Sequence, residues 1–410
     1  MKNFDIPTYY KSPIISVVKN SRKHLDPRKK DYSPSVLDFG PVKFLIARHF
    51  GFCFGVENAI EIAYRTIEEN PGRRIFLLSE MIHNPGVNDD LRKRGVRFIR
   101  EHDGKQLIYW DELESDDIVI VPAFGTTIEI QSILKEHGID PYRYDTTCPF
   151  VEKVWNRAES LGSKGYTTIV HGKYKHEETI ATFSHSRKNS PTLIIRDHNE
   201  AAKLADIILG KIPVDLFYAL FKDKYSEGFN PAKDLERVGV VNQTTMLASE
   251  TQAIAELLRK ALSEKYGPEN INEHFADTSD TLCYATYDNQ GATYSLIDSN
   301  ADFAIVAGGY NSSNTTHIVE LCEHKLPVYF ISGADKIISR TNILHYDIHS
   351  HTERKTEGWL KNAADGPYKI ILTSGASCPD AILDQILQKI LGYFPEAVSI
   401  DDVLVSFKKE

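Results

Sequence analysis

The chain has 410 residues, 41% of them hydrophobic and 26% charged, with a formal net charge of −9. That length supports two or three hydrophobic cores rather than one, and the composition is that of an ordinary globular protein. The negative balance argues against a broad nucleic-acid surface, and no apolar run approaches the roughly 18 residues of a membrane-spanning helix.

Residues 1–41 mix lysine, aspartate, proline and tyrosine, as in Lys19-Asn20-Ser21-Arg22-Lys23-His24-Leu25-Asp26-Pro27. They read as a polar, proline-punctuated extension, expected to pack on the body or on a neighbouring subunit. The extension lacks the apolar centre of a signal peptide, and its acidic residues weigh against a transit peptide. A strand is predicted over 42–47, then a turn carrying Cys53, then a helix from about 56 to 69. Further strands are predicted at 75–78 and 117–122, each running into a polar turn. The pattern recurs at 167–170, 238–241, 303–306 and 368–372. Short β-branched runs alternating with helical patterns are the signature of α/β layers. The stretch from about 187 to 236 reads as an insertion adding helices.

The chain is therefore expected to be α/β, with an extension at 1–41 and a first α/β domain at 42–147 carrying Cys53. A second domain at 148–282 carries Cys148 and the insertion, and a third at 283–410 carries Cys283. In open α/β sheets, ligands bind beyond the carboxyl ends of strands. Seven predicted turns lie in that position. Serine, threonine and asparagine are also favoured there merely as caps and turn formers.

Cys53, Cys148 and Cys283 are far apart in sequence, and none forms a C-x-x-C pair. Three long-range thiolates suggest one metal or cluster with an open position. Packing alone is the bland alternative, since a cysteine behaves as a small hydrophobe. Cys322, on the apolar side of a predicted helix, and Cys378, in a polar turn, read as bystanders. Few cysteines in so long a chain fit a reducing compartment. Ser312, Ser313 and Asn314, after Gly308-Gly309 and before a helix, make an anion site, and Ser377 can donate to the same anion. His83 and His176 sit at similar strand ends and can donate to phosphate. Glu178 is the candidate proton donor, with Glu177 its near competitor. The Thr244 hydroxyl is placed to relay that proton or hold a water.

Several motifs occur in order from about residue 42 to the C-terminus. They are Gly51-Phe52-Cys53-Phe54-Gly55-Val56, Ile82-His83-Asn84-Pro85, Asp145-Thr146-Thr147-Cys148-Pro149, Lys175-His176-Glu177-Glu178-Thr179, Asn242-Gln243-Thr244-Thr245-Met246, Asn311-Ser312-Ser313-Asn314 and Thr373-Ser374-Gly375-Ala376-Ser377. Together with the Cys283 context, Asp280-Thr281-Leu282-Cys283-Tyr284, they closely resemble the 4-hydroxy-3-methylbut-2-enyl diphosphate reductase family, in its longer subtype. The resemblance implies a trefoil of three α/β domains around a central [4Fe–4S] cluster, one per subunit. Cys53, Cys148 and Cys283 would hold three irons, leaving the fourth for the substrate's hydroxyl oxygen. His83, His176, Ser312, Asn314 and Ser377 match positions that grip the diphosphate, with Ser313 beside them. Glu178 matches the proton-delivering glutamate and Thr244 its hydroxyl partner.

The implied reaction is two-electron reductive dehydroxylation to isopentenyl and dimethylallyl diphosphates, the last step of the non-mevalonate isoprenoid pathway. The implied setting is the cytoplasm, with ferredoxin or flavodoxin as donor and no nucleic-acid or membrane partner; a homodimer is left open. One position departs from the shorter bacterial form, Phe124 standing where that form has a histidine. Lys173 or Lys175 is the expected replacement. Two other readings compete: a dehydratase using an open iron without net electron transfer, and a cluster- or zinc-bearing scaffold whose polar turns only cap helices.

Overall fold

The computed structural model describes residues 5–276, 281–360 and 367–408; Asp280 of the Cys283 motif lies outside them. The chain is mixed α/β and falls into two compact units, one of residues 1–57, 83–86 and 284–410, the other of residues 58–82 and 87–283.

The first unit is built on a seven-stranded sheet. Its order is Ser35–Asp38, Val42–Ile46, Tyr368–Ser374, Phe303–Ala307, Val328–Ile331, Asn342–Asp347 and Thr352–Glu357. The four strands from Val42–Ile46 to Val328–Ile331 run parallel, and the outer strands pair antiparallel. Parallel strands covered on both faces carry continuous apolar runs. Phe303-Ala304-Ile305-Val306-Ala307 is accordingly buried throughout. Leu372 lies opposite both Ile46 and Ile305. Ala307 and Ser374 end level and Ile46 ends two residues earlier, so the turns that follow the three strands share one edge of the sheet.

The extension is more ordered than its composition suggests. It forms a helix, Pro13–Leu25, and the edge strand Ser35–Asp38. Pro13 takes the first helical position, where its missing N–H costs nothing. The Ser12 Oγ accepts from the Ile15 amide at 2.9 Å and donates to the buried Asp384 carboxylate, also at 2.9 Å. Ile14, Ile15 and Val18 are buried in the core of the unit. A narrow apolar face on an otherwise basic helix is enough to dock it.

The second unit contains two parallel sheets. One runs Arg97–Phe98, Ile75–Leu77, Ile118–Ile120; the other runs Thr192–Ile195, Thr167–His171, Val238–Asn242, Phe275–Ala276. The insertion supplies the expected helices, His198–Ile208, Phe217–Leu220 and Pro231–Asp234, but also the edge strand Thr192–Ile195. A run of four residues is too short for periodicity to tell strand from helix. Phe217 stacks on Phe229 at 5.0 Å, and both are buried in this unit's core. Among the described residues no helix is long and apolar enough to cross a membrane.

The Ser12 contacts yield a prediction. Ser12→Ala removes the cap and the Asp384 partner, loosening the helix by about 1 kcal/mol. Amide exchange across residues 13–25 should accelerate about fivefold, by mass spectrometry; an unchanged rate would contradict the docking role.

Candidate active site

The polar turns of the first unit converge. Ser312 caps the helix Ser313–Glu323, its Oγ accepting from the Thr315 amide at 3.3 Å. Asn314 Oδ1 accepts from the Ala376 amide at 2.8 Å. That bond fixes the orientation of the side-chain amide. It leaves the Asn314 Nδ2 buried without a hydrogen-bond partner. The Ser377 Oγ lies 3.2 Å from the His83 carbonyl oxygen and 3.4 Å from the Ser312 Oγ. Asn84 Nδ2 donates to the Ser377 carbonyl at 2.9 Å, and the Cys53 amide donates to the Ala376 carbonyl at 3.3 Å. Cys53, His83, Ser312, Asn314 and Ser377 are thus brought together, with Ser313 adjacent; all are buried except Cys53, which is half-buried. So close a backbone approach needs glycine: a Cβ on Gly309 would sit 2.3 Å from the His83 carbonyl oxygen. Hydroxyls, an orphan amide donor and a helix N-terminus together suit an oxyanion.

The second unit holds the acids. His176 caps the helix Glu177–Arg187, its Nδ1 accepting from the Glu178 amide at 3.2 Å. An accepting Nδ1 places the neutral ring's proton on Nε2, ready to donate. The Phe124 ring meets the His176 ring edge-on, with centroids 5.6 Å apart. Glu178 is 2% exposed, and its Oε1 accepts from the Thr244 amide at 2.5 Å. Burial pushes its carboxyl up to about 7, against the pull of the Thr244 amide and hydroxyl. Glu177 is also pushed up to about 7 by burial, but it bonds Ser79 and feels Arg100. Only Glu178 faces Thr244. Lys175 lies with Glu177 and Arg100 around a small cavity of about 70 Å³.

Cys148 caps the helix Pro149–Ser163, without a capping bond from its own side chain. Its turn is held by Asp145, which accepts from the Thr147 amide at 2.8 Å and the Thr147 hydroxyl at 2.5 Å. Cys283 is buried just before the helix Tyr284–Ile297, and Cys53 directly precedes Phe54–Glu69. Thr281, two residues before Cys283, donates to Asn242 Oδ1 at 2.6 Å, next to the turn that bears Thr244. Cys322 and Cys378 are buried, and burial drives the Cys322 thiol up to about 12 and the Cys378 thiol higher still. Such thiols stay protonated and inert, as expected of bystanders. Among the described residues no three His, Cys, Asp or Glu side chains are gathered to hold a metal ion.

The family model described as LytB protein matches residues 44–391. The chain belongs to the LytB family. Proteins named 4-hydroxy-3-methylbut-2-enyl diphosphate reductase are similar to it. One from Picosynechococcus is 42% identical over 352 residues, covering 86% of this chain and 84% of that protein. Another, from Gloeothece citriformis, is 40% identical over 382 residues, covering 93% and 89%. The solved structure of the E-1-hydroxy-2-methyl-but-2-enyl-4-diphosphate reductase from Plasmodium falciparum shares the fold, with a TM-score of 0.61 at 23% identity. That match covers 88% of this chain and 90% of that one.

Three positioning residues of this LytB chain were not singled out from sequence. The Gln243 Oε1 accepts from the Lys173 amide at 3.1 Å and the Thr179 hydroxyl at 3.0 Å, tying the glutamate turn to the threonine turn. Lys19 Nζ donates to the Phe50 carbonyl at 3.0 Å and pairs with Asp380 at 2.7 Å, clamping the turn before Cys53. Asp145 is the third. Gln243 and Asp145 stood inside quoted motifs, so a search for buried amide and carboxylate partners had a signal to follow. Lys19 had none, lying 34 residues from Cys53 in a basic run.

Glu178 should leave a mark on stability. Its folded-state pKa is raised, so the unfolded chain releases this proton first. Its contribution therefore favours folding below about 4.5 and declines as pH climbs to about 7. Glu178→Gln, which keeps an oxygen for the Thr244 amide, should unfold at a higher temperature than the parent above pH 7. Below pH 4.5 the gap should close in the same thermal scans. A gap independent of pH would show that Glu178 is not held protonated by burial.

Proposed function

We propose that this chain converts (E)-4-hydroxy-3-methylbut-2-enyl diphosphate to isopentenyl and dimethylallyl diphosphates, with two electrons and two protons, as the last step of the non-mevalonate pathway. The observation that carries the proposal is the orphan Asn314 amide, buried beside the Ser312 and Ser377 hydroxyls. A buried donor without a partner is costly unless a ligand accepts from it. A diphosphate oxygen is such an acceptor. His83, Ser313 and His176 complete the proposed grip, His176 through its Nε2 proton. With Phe124 holding the ring of His176 edge-on, the departure from the shorter bacterial form serves orientation rather than charge.

Cys53, Cys148 and Cys283 are the residues that would hold a [4Fe–4S] cluster. Their chemistry fits: each stands at the start of a helix of 14 to 16 residues, where the helix dipole favours thiolate. When bound, such a cluster supplies electrons and an iron position with Lewis-acid character. The chain's own residues bind the diphosphate, exclude water from the buried cradle and deliver the proton. Glu178, titrating near neutrality, gives its proton through the Thr244 hydroxyl to the leaving hydroxyl oxygen, which departs as water. The second proton ends on the allyl carbon. The trefoil of three α/β domains, with boundaries at 147/148 and 282/283, belongs to this proposal; three separate sheets favour three domains, although Val42–Ile46 pairs with Tyr368–Ser374 in the sheet of the third. So do a cytoplasmic setting and a ferredoxin or flavodoxin donor.

Purified and reconstituted without oxygen, the protein should carry about four irons per chain. Serine at position 53, 148 or 283 should prevent loading; a variant retaining full iron would remove that cysteine from the set. Glu178→Gln should keep its iron and bind substrate while turnover falls about 10²- to 10⁴-fold. If Glu177→Gln loses turnover instead, the proton donor is the other glutamate.

A further inference from the structure

Charge in this chain is unevenly placed. Residues 11–30 hold seven lysines and arginines against one acidic residue, Asp26, although the whole chain carries −9. The fold gathers this run on one face of the first unit, along the helix Pro13–Leu25 and the segment after it. Some of these cations are engaged: Arg22 with Asp31 at 2.9 Å, Lys19 with Asp380 at 2.7 Å. Lys23, Arg28 and Lys30 are exposed and Lys29 half-buried, and none has an acidic partner among the described residues.

The basic run borders a cavity of about 330 Å³, lined by Lys23, Lys29 and Arg48 and reaching Cys53; Glu57 and Asp288 line it too. Arg48 is 7% exposed, donates to the Asp26 carbonyl at 3.0 Å, and its Nε lies 3.8 Å from the Asp26 carboxylate. That pair largely cancels, so the positive charge at the opening is that of Lys23 and Lys29, which rim it. The rest of the chain is more acidic than the chain as a whole, so this run is the segment whose charge best complements an acidic protein. Complementary patches of this kind set orientation and on-rate.

We propose that this basic face is the docking surface for a small acidic electron-transfer protein, seated so that electrons enter by way of Cys53. The inference rests on the reductive reading of the site. Each turnover consumes two reduced carriers, each oxidised by one electron. The substrate's carbon–oxygen bond breaks, one proton makes water with the leaving oxygen, and the other goes to the allyl carbon.

The test uses the full chain, with a plant-type [2Fe–2S] ferredoxin as the acidic probe. The triple variant Lys23→Glu, Lys29→Glu, Lys30→Glu is compared with the parent, and the neutral triple glutamine variant supplies an intermediate case. Calorimetric affinity of the cluster-free chain for the probe should weaken at least about tenfold on charge reversal, about half as much on the logarithmic scale on neutralisation. In the parent it should also fall steeply from about 20 to about 200 mM salt, as screening predicts. In the loaded enzyme, the KM for ferredoxin should rise about tenfold while turnover driven by the dye methyl viologen stays unchanged. Unchanged ferredoxin affinity on charge reversal overturns the proposal, as does an equal loss of dye-driven turnover. Inorganic phosphate bound by the parent alone, with ferredoxin affinity unaltered, would make the cavity a small-anion site and overturn it too. If the parent shows no dye-driven turnover, the reductive reading fails by itself, and affinity of the cluster-free chain still decides the docking.

Discussion

The Ser377 hydroxyl lies within reach of both the His83 carbonyl and the Ser312 hydroxyl, joining segments nearly 300 residues apart. Around it, the Ala376 amide is taken by Asn314 and the Ala376 carbonyl by the Cys53 amide. A buried polar cluster is stable only if its members satisfy one another. Here they do so with the Asn314 Nδ2 left over, and that donor is the one the proposed anion would satisfy. The rest of the first unit serves this arrangement: three neighbouring parallel strands present the Cys53, Ser312 and Ser377 turns on one edge.

The two adjacent glutamates show how position divides chemistry. Both sit in the first turn of one helix, and burial lifts both toward neutrality. Successive residues at a helix start point to different sides. Glu178 is turned to the Thr244 amide and hydroxyl, whereas Glu177 meets Ser79 and the field of Arg100. Similar burial with unequal surroundings gives them different partners, which neither spacing nor residue type could have shown. The Gln243 side chain makes the difference durable by bracing the glutamate turn against the threonine turn.

Much of this was legible in the sequence because parallel strands advertise themselves. Val42–Ile46, Thr167–His171, Val238–Asn242 and Phe303–Ala307 are short runs rich in apolar and β-branched residues followed by polar turns, and ligand groups belong at those carboxyl ends. Cys322 was readable from its apolar helix face, whereas the burial of Cys378 was not evident from its polar turn. What escaped depended on long-range partners. The helix Pro13–Leu25 hides a narrow apolar face among lysines, and its docking depends on Asp384, 372 residues from Ser12. Thr192–Ile195 is too short to declare itself, and in the hairpin of Asn342–Asp347 with Thr352–Glu357 the first strand is mostly half-buried and the second exposed, so no alternation marks it. The edge-on contact of Phe124 with His176 likewise escaped, since no charge pattern encodes it.

The central claim is that a diphosphate cradle, a protonated glutamate and three thiolates serve one reductive dehydroxylation. The most direct test is an anaerobic assay of the reconstituted protein with the hydroxylated C5 diphosphate. Reductant oxidation and products are followed together. Two electrons consumed for each isopentenyl or dimethylallyl diphosphate formed is the predicted result. Substrate conversion without oxidation of the reductant, or no conversion by fully loaded protein, would contradict it.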